Sequence, residues 1–230
     1  MQGLTRITEV LQPLDYVAVF VLLLAALLMR FLVEHCSDER PSTSRLMADY
    51  RRAWMRVAAS RENRIMDSQL IISLRAGAAF FASGAILAIG GLVALLGQTE
   101  EMLGVVKDLV SDTDATRRLW EVKLLFLLAL TVDTFLKFVW AHRIFGYCAV
   151  MVGAIPEVGG GEDQEPAIRR AAELQVNAGR SFNRGLRSIY FTLATLAWFA
   201  GPEALIFTAL ATAAIIYRRE FLSGTRKMLM

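Results

Sequence analysis

Four long apolar stretches, separated by arginine-rich segments, organise the chain, and their lengths predict helices, since no apolar–polar alternation of period two persists. A helix needs about 20 mainly apolar residues to cross ~30 Å of hydrocarbon. The first stretch, residues 14–33, has that length, and Asp15 and Arg30 at the edges of its uncharged centre are expected to snorkel to the two interfaces. It runs into Leu27-Leu28-Met29-Arg30 without a small-residue cleavage pattern, so an uncleaved span is favoured over a signal peptide.

The second stretch, residues 76–97, carries no charge. Gly77, Gly84 and Gly91 recur every seven residues with Ala88 on the same side, a small-residue stripe that admits a second backbone closely. Packing within the chain is its expected use; a subunit contact or a pore lining is the alternative. The third stretch, residues 122–141, contains Asp133 and Lys137, and a further apolar run, 144–155, follows His142 and Arg143. One long helix is predicted whose last turns leave the membrane, ended by Pro156 and Gly159-Gly160-Gly161.

The fourth stretch, Leu186 to Tyr217, is too long for one crossing and is interrupted by Gly201-Pro202-Glu203. Glycine after a helix, proline at the next helix's first position and an acid in its first turn make a stop-then-start signal. Two spans, 186–201 and 203–217, joined as a hairpin are one solution, and a single helix kinked at Pro202 is the other.

Charge orients these segments. Nine arginines stand against six acids from Arg30 to Arg75, whereas five acids outnumber three bases from Gln98 to Leu119; the tail after Tyr217 has four bases and one acid. Basic segments stay cytoplasmic. The N-terminus and the acidic segment are therefore expected outside, and the two long basic segments and the tail inside, which favours five crossings over four. The inner segments, 44–75 and 144–187, also read as helical. Leu46, Tyr50, Trp54 and Val57 form one apolar stripe, and an alanine-rich helix runs from Pro166 through Ile168, Ala172, Gln175 and Phe182. The expected fold is all-α: one polytopic membrane domain of four or five transmembrane helices with cytoplasmic helical extensions.

Composition agrees with that class. At 55% hydrophobic residues, 20% charged and a mean hydropathy of +0.44, a 25.5 kDa chain is too apolar for an ordinary soluble globule. A net charge of +3 is too weak to point to nucleic acid. Cys36 and Cys148 are expected as free thiols in the reducing cytosol. His35 and His142 are the only histidines, and no His-x-x-x-His or Cys-x-x-Cys spacing, phosphate-cradling loop or nucleophile elbow occurs. No metal, cofactor or catalytic motif is therefore expected.

Ionisable groups inside a bilayer are costly and mark candidate sites. Asp133 and Lys137, four residues apart on one helical face, read either as a self-neutralising pair or as part of an ion or proton pathway. A second group gathers at the inner membrane surface: Asn63, Arg64, Asp67, Gln69, Arg75, Arg143, Asn183 and Arg187. These are expected to form a polar collar near anionic lipid headgroups, with the carboxamides in a hydrogen-bonded network that closes a pathway or holds a phosphate. Glu203 reads as a solvated helix-start carboxylate. Thr192, Thr195, Thr208 and Thr212 are expected to bond back to their own turn or across helices.

The combination of Asn63-Arg64-Ile65 with Asp67 and Gln69-Leu70, then Phe80-Phe81-Ala82-Ser83, Lys137-Phe138 with Trp140 and Arg143, and Tyr147-Cys148 resembles an uncharacterised membrane-protein family, domain of unknown function 599. Phe182-Asn183 with Gly185-Leu186-Arg187, and Tyr217-Arg218-Arg219-Glu220-Phe221, extend the resemblance over nearly the whole chain. Gly146 departs from it, standing where the family has an asparagine. The resemblance implies a helical integral membrane protein and brings no activity, substrate or catalytic residue. The expected function is a homo-oligomeric channel- or transporter-like protein for an ion or small solute in a bacterial inner membrane. The alternative is a non-transporting adaptor that presents a cytoplasmic helical bundle, with a lipid-modifying enzyme third.

Overall fold

Proline and serine set where several helices begin. Helix α1, Pro13–Glu34, has Pro13 in its first turn, and the Gln12 amide donates to Asp15 Oδ2 at 3.0 Å. Helix α2, Thr43–Ala59, starts at Ser42, whose hydroxyl accepts from the Arg45 amide at 3.2 Å. Helices α3, Ile65–Gly97, and α4, Thr113–Gly153, are the two longest. Helix α5, Glu165–Thr195, tightens into a 3₁₀ turn, Leu196–Ala200, before α6, Pro202–Phe221, and the short α7, Gly224–Leu229. The computed structural model describes residues 11–98, 113–157 and 163–230, and these are all-helical, with no strand among them. The N-terminus, most of the acidic segment and the Gly159-Gly160-Gly161 stop signal lie outside the described residues.

Among the described residues three helices are long and apolar enough to cross a membrane: Pro13–Glu34, Ile65–Gly97 and Arg117–Gly153. Helix α4, at 41 residues, is about 60 Å long, twice the hydrocarbon thickness. The apolar segment 186–201 is the end of α5 with its 3₁₀ turn. Gly201, at φ 142°, then reverses the chain, a conformation that favours glycine. Helix α6 returns along α5: Thr208 Oγ1 donates to the Ala194 carbonyl at 3.0 Å and Arg219 Nη1 to Tyr190 Oη at 2.9 Å. The chain therefore turns at Gly201-Pro202 rather than kinking there.

Three clusters hold the helices together. One joins α1, the end of α5 and α6 around Leu22, Met29, Phe191, Trp198 and Leu205. A second joins α2, the start of α3, the end of α4 and the start of α5 around Met55, Ile71, Cys148, Val152 and Ala171. The third, around Ala78, Ala141, Phe145 and Ala178, ties α3 and α5 to α4. Beside it Phe138 stacks on Phe81 at 5.1 Å and meets Phe182 edge-on at 5.6 Å. Gly185 is required by that stack, because a Cβ there would lie 2.8 Å from the fully buried Phe138 ring.

Two expected faces are rotated. The face of α3 that packs against the chain is alanine, Ala78, Ala82 and Ala85, while a Cβ added at Gly77, Gly84 or Gly91 would meet nothing within 4 Å. Likewise α2 buries Met55, Ala58 and Ala59, whereas Tyr50 and Val57 of the expected stripe are exposed. Both stripes have helical spacing, but spacing identifies a coherent face without saying which neighbour it meets. On the arginine side of α2, Arg52 is tied to α5 by donating to Glu173 at 2.9 Å.

Gln175 is fully buried against these clusters, and neither its Nε2 nor its Oε1 has a hydrogen-bond partner. An unpaired buried amide costs about 1–3 kcal/mol. Gln175→Leu is therefore expected to raise stability by about 1 kcal/mol, seen as a higher melting temperature in detergent; a lower one would mean the amide does bond.

Candidate functional site

Polar side chains concentrate where α1 and α5 run side by side in opposite directions. Glu34, at the end of α1, is clamped by α5: Arg184 donates to it from Nε at 2.7 Å and from Nη2 at 2.5 Å, and Arg187 Nη2 at 3.2 Å. Arg30, one turn back, stands 3.8 Å away. Arg187 also faces Glu220 of α6 at 3.8 Å, and Glu220 accepts from the Ser44 amide at 3.0 Å and the Ser44 hydroxyl at 2.8 Å. One ion-pair layer thus joins α1, α2, α5 and α6.

Two cavities border this layer. The first, ≈ 400 Å³, sits between α1, α4 and α5 and is lined by Leu27, Arg30, Asp133, Lys137, Ser188 and Arg187 among others. Within it Lys137 is ion-paired to Asp133 and donates to Ser188 Oγ at 2.5 Å, and Ser188 donates to Asp133 at 3.3 Å. The second, ≈ 260 Å³, sits between α1, α2 and α5 and contains Glu34, Ser44, Arg51, Arg180, Asn183 and Arg187. Arg187 is only 8% exposed and lines both. Its Nη1 has no hydrogen bond.

The expected collar is divided by the fold. Asn183 donates to Ser44 Oγ at 3.3 Å and belongs with Arg187. The others do different work on α3 and α4. Asn63 accepts from the Ile65 amide at 2.9 Å and starts α3. Arg64 donates to the carbonyls of Ala59, Ile155 and Pro156, supplying partners at the ends of α2 and α4. Asp67 is fully buried and accepts from Trp54 Nε1 at 2.7 Å and Arg61 Nη1 at 2.5 Å, tying α2 to α3. Gln69 is exposed. Arg75 donates to His142 at 3.0 Å, and Arg143 to Tyr147 Oη at 2.5 Å. The expected carboxamide network does not form, because Asn63 stands just before α3 and Gln69 on it, whereas Asn183 on α5 turns to α2. Gly146 faces Arg75: a Cβ there would lie 3.8 Å from its guanidinium.

Glu34, Ser188, Ser44 and Arg51 are not singled out by spacing. The available signal was Arg184 and Arg187, three residues apart on one face of a helix that enters an apolar stretch. At the opposite end of the helices Asp15 is buried between helices instead of snorkelling to water. It is 4% exposed and accepts from Trp198 Nε1 at 2.6 Å, while Lys123, 5% exposed, donates to the Trp198 carbonyl at 2.8 Å. Glu203 is exposed at the start of α6. Cys36 and Cys148 are free thiols, on different elements, and no group of three His, Cys, Asp or Glu placed to hold a metal exists among the described residues.

No curated protein and no solved structure matches the chain. The model of one family does, over residues 17–225. That match takes in the Glu34 clamp, both cavities and the Asp133–Lys137 pair, so the whole site lies within the shared region. The chain belongs to the family described as protein of unknown function, DUF599.

Proposed function

We propose that this is a channel- or transporter-like membrane protein that moves an ion or small solute along the seam of α1 and α5. The carrying observation is that Arg187 lines both cavities, so a single ion-paired layer separates the chamber holding Asp133 and Lys137 from the one beneath α2. Such a layer is suited to opening and closing, since Arg187 has two carboxylates, Glu34 and Glu220, to exchange between.

In this reading the chain crosses five times: α1, α3 and α4 are long and apolar enough to span, and the end of α5 with α6 forms a returning hairpin. Nineteen residues separate Asp15 from Glu34 on α1 and Lys123 from His142 on α4, about 28 Å of helix in each case, close to the hydrocarbon thickness. Asp15, Lys123 and Trp198 would mark the outer surface, with Glu34, Arg75, His142, Arg184 and Arg218 at the inner one. Asp133 then lies about 14 Å inside the inner surface, where an ionisable group is expensive unless it serves a path. The N-terminus would be outside and the tail in the cytoplasm of a bacterium bounded by this inner membrane. The open glycine face of α3 is available to a second copy.

Purified protein in proteoliposomes, assayed with proton, potassium, chloride and phosphate gradients, tests the reading. At least one gradient should be dissipated, and Asp133→Asn should abolish that flux at equal incorporation. No flux for any gradient, or full flux through Asp133→Asn, would reject it. The adaptor reading has one observation of its own: α2, the start of α3, the end of α4 and the start of α5 pack a separate core around Met55 and Cys148. Crosslinking in cells that recovers only copies of this chain would remove it.

A further inference from the structure

We infer that the cavity between α1, α2 and α5 is a binding site for a phosphate group, on a lipid headgroup or as the free anion. Five arginines line it, Arg45, Arg51, Arg52, Arg180 and Arg187, against two acids, Glu34 and Asp49. Both acids are already engaged, Glu34 by Arg184 and Arg187 and Asp49 by Arg52 at 3.0 Å. Arg45 is itself paired to Asp38 at 2.6 Å and Arg52 to Glu173 at 2.9 Å, acids outside the lining, so the open positive charge is that of particular guanidinium groups. Arg51 and Arg180 make no hydrogen bond or ion pair among the described residues, and the Arg187 Nη1 is buried with its hydrogen-bonding capacity unused.

Arg51 is the most informative of these. It lies half-buried with its guanidinium against the backbone of α5 at Gly179, where a Cβ would come within 2.5 Å of its Cζ. Burial without an anion pulls its pKa below the ordinary arginine value. A fold that seats a cation in a glycine notch, beside a second buried guanidinium, and provides no carboxylate for it has left the counter-charge to come from elsewhere. Several guanidinium forks around one cavity suit a group with three acceptor oxygens better than a halide, which accepts no bidentate pair. Asn183, whose amide nitrogen keeps a second hydrogen beyond the one given to Ser44, adds a neutral donor at the same wall. The level of Glu34, at the end of a membrane-length helix, is the depth at which lipid phosphates sit and is also open to cytoplasmic phosphate.

Binding does not require transport, so the two readings fail separately: a flux-negative protein that takes up phosphate here contradicts only the transport proposal. The experiment is calorimetric titration of the full chain in phosphatidylcholine nanodiscs with inorganic phosphate, at ionic strength held constant with chloride. Two variants accompany it. Arg51→Met removes the charge but keeps the stem. Gly179→Ala leaves every charge in place and displaces the Arg51 guanidinium, which can yield because it is the end of a flexible side chain, while alanine suits a helix better than glycine. Saturable phosphate binding is expected, weakened about tenfold or more in each variant, as for loss of one charge-assisted contact. Repeating the titration with phosphatidylglycerol in the disc separates the sources: suppressed binding identifies the headgroup as occupant, and unchanged binding the free anion. No binding above the chloride background, or equal binding by wild type and both variants, would overturn the site.

Discussion

Glu34→Ala is expected to lower stability by about 3–5 kcal/mol, the cost of removing one partner from a buried ion pair. Glu34 accepts three hydrogen bonds from Arg184 and Arg187, and its side chain and that of Arg187 are 11% and 10% exposed. Deleting it strands Arg187 with Glu220 alone at 3.8 Å and leaves Arg184 and Arg30 repelling it. The measurement is the melting temperature of the purified protein in detergent. Adding Arg187→Leu to Glu34→Ala should recover part of the loss, because the stranded charge goes as well. A melting temperature unchanged by Glu34→Ala would show that the clamp contributes nothing to the fold.

The second large effect is at the other end of the same helix. Asp15→Ala is expected to cost about 2–4 kcal/mol, from an unpaired Trp198 indole and a Lys123 deprived of the anion that acts on it. Lys123 sits 5.4 Å above the Trp198 ring, so tryptophan is held from both sides and with it the 3₁₀ turn that precedes Gly201. Asp15→Asn retains an acceptor for the indole and should cost less than Asp15→Ala. Fluorescence of Trp198 in a background lacking the other tryptophans would report its release into a wetter site. If Asp15→Ala left both emission and melting temperature unaltered, the buried network would have no part in anchoring α1 to the turn.

These two networks also show what spacing can and cannot reveal. Asp133 and Lys137 were legible as a pair because the interaction is within one helix, four residues apart, where geometry follows from the period. Asp67 and Trp54 were visible separately, one in a polar group and one in an apolar stripe. Their hydrogen bond joins two helices and depends on how α2 lies across α3. The glycine stripe was equally visible, yet the neighbouring alanines Ala78, Ala82 and Ala85 make the contact with the rest of the chain. A helix with apolar residues all round carries little rotational information, so which face turns inward is settled by its partners. Asp15 and Arg30 looked alike as flanking charges; only Trp198, 183 residues further on, distinguishes the buried one.

The chain's own order of residues determined the helical class, the apolar lengths that suit a membrane, the break at Gly201-Pro202 and the family to which the protein belongs. Each of these follows from local chemistry: hydrophobic runs, proline's missing amide and glycine's freedom at positive φ act within a few residues. Tertiary structure alone decided that Glu34 meets Arg184 and Arg187, that Arg187 stands between two cavities, and that Arg51 rests on Gly179 without a carboxylate. Those contacts join residues more than a hundred positions apart, and their pairing comes from antiparallel helix packing, which short-range periodicity does not encode.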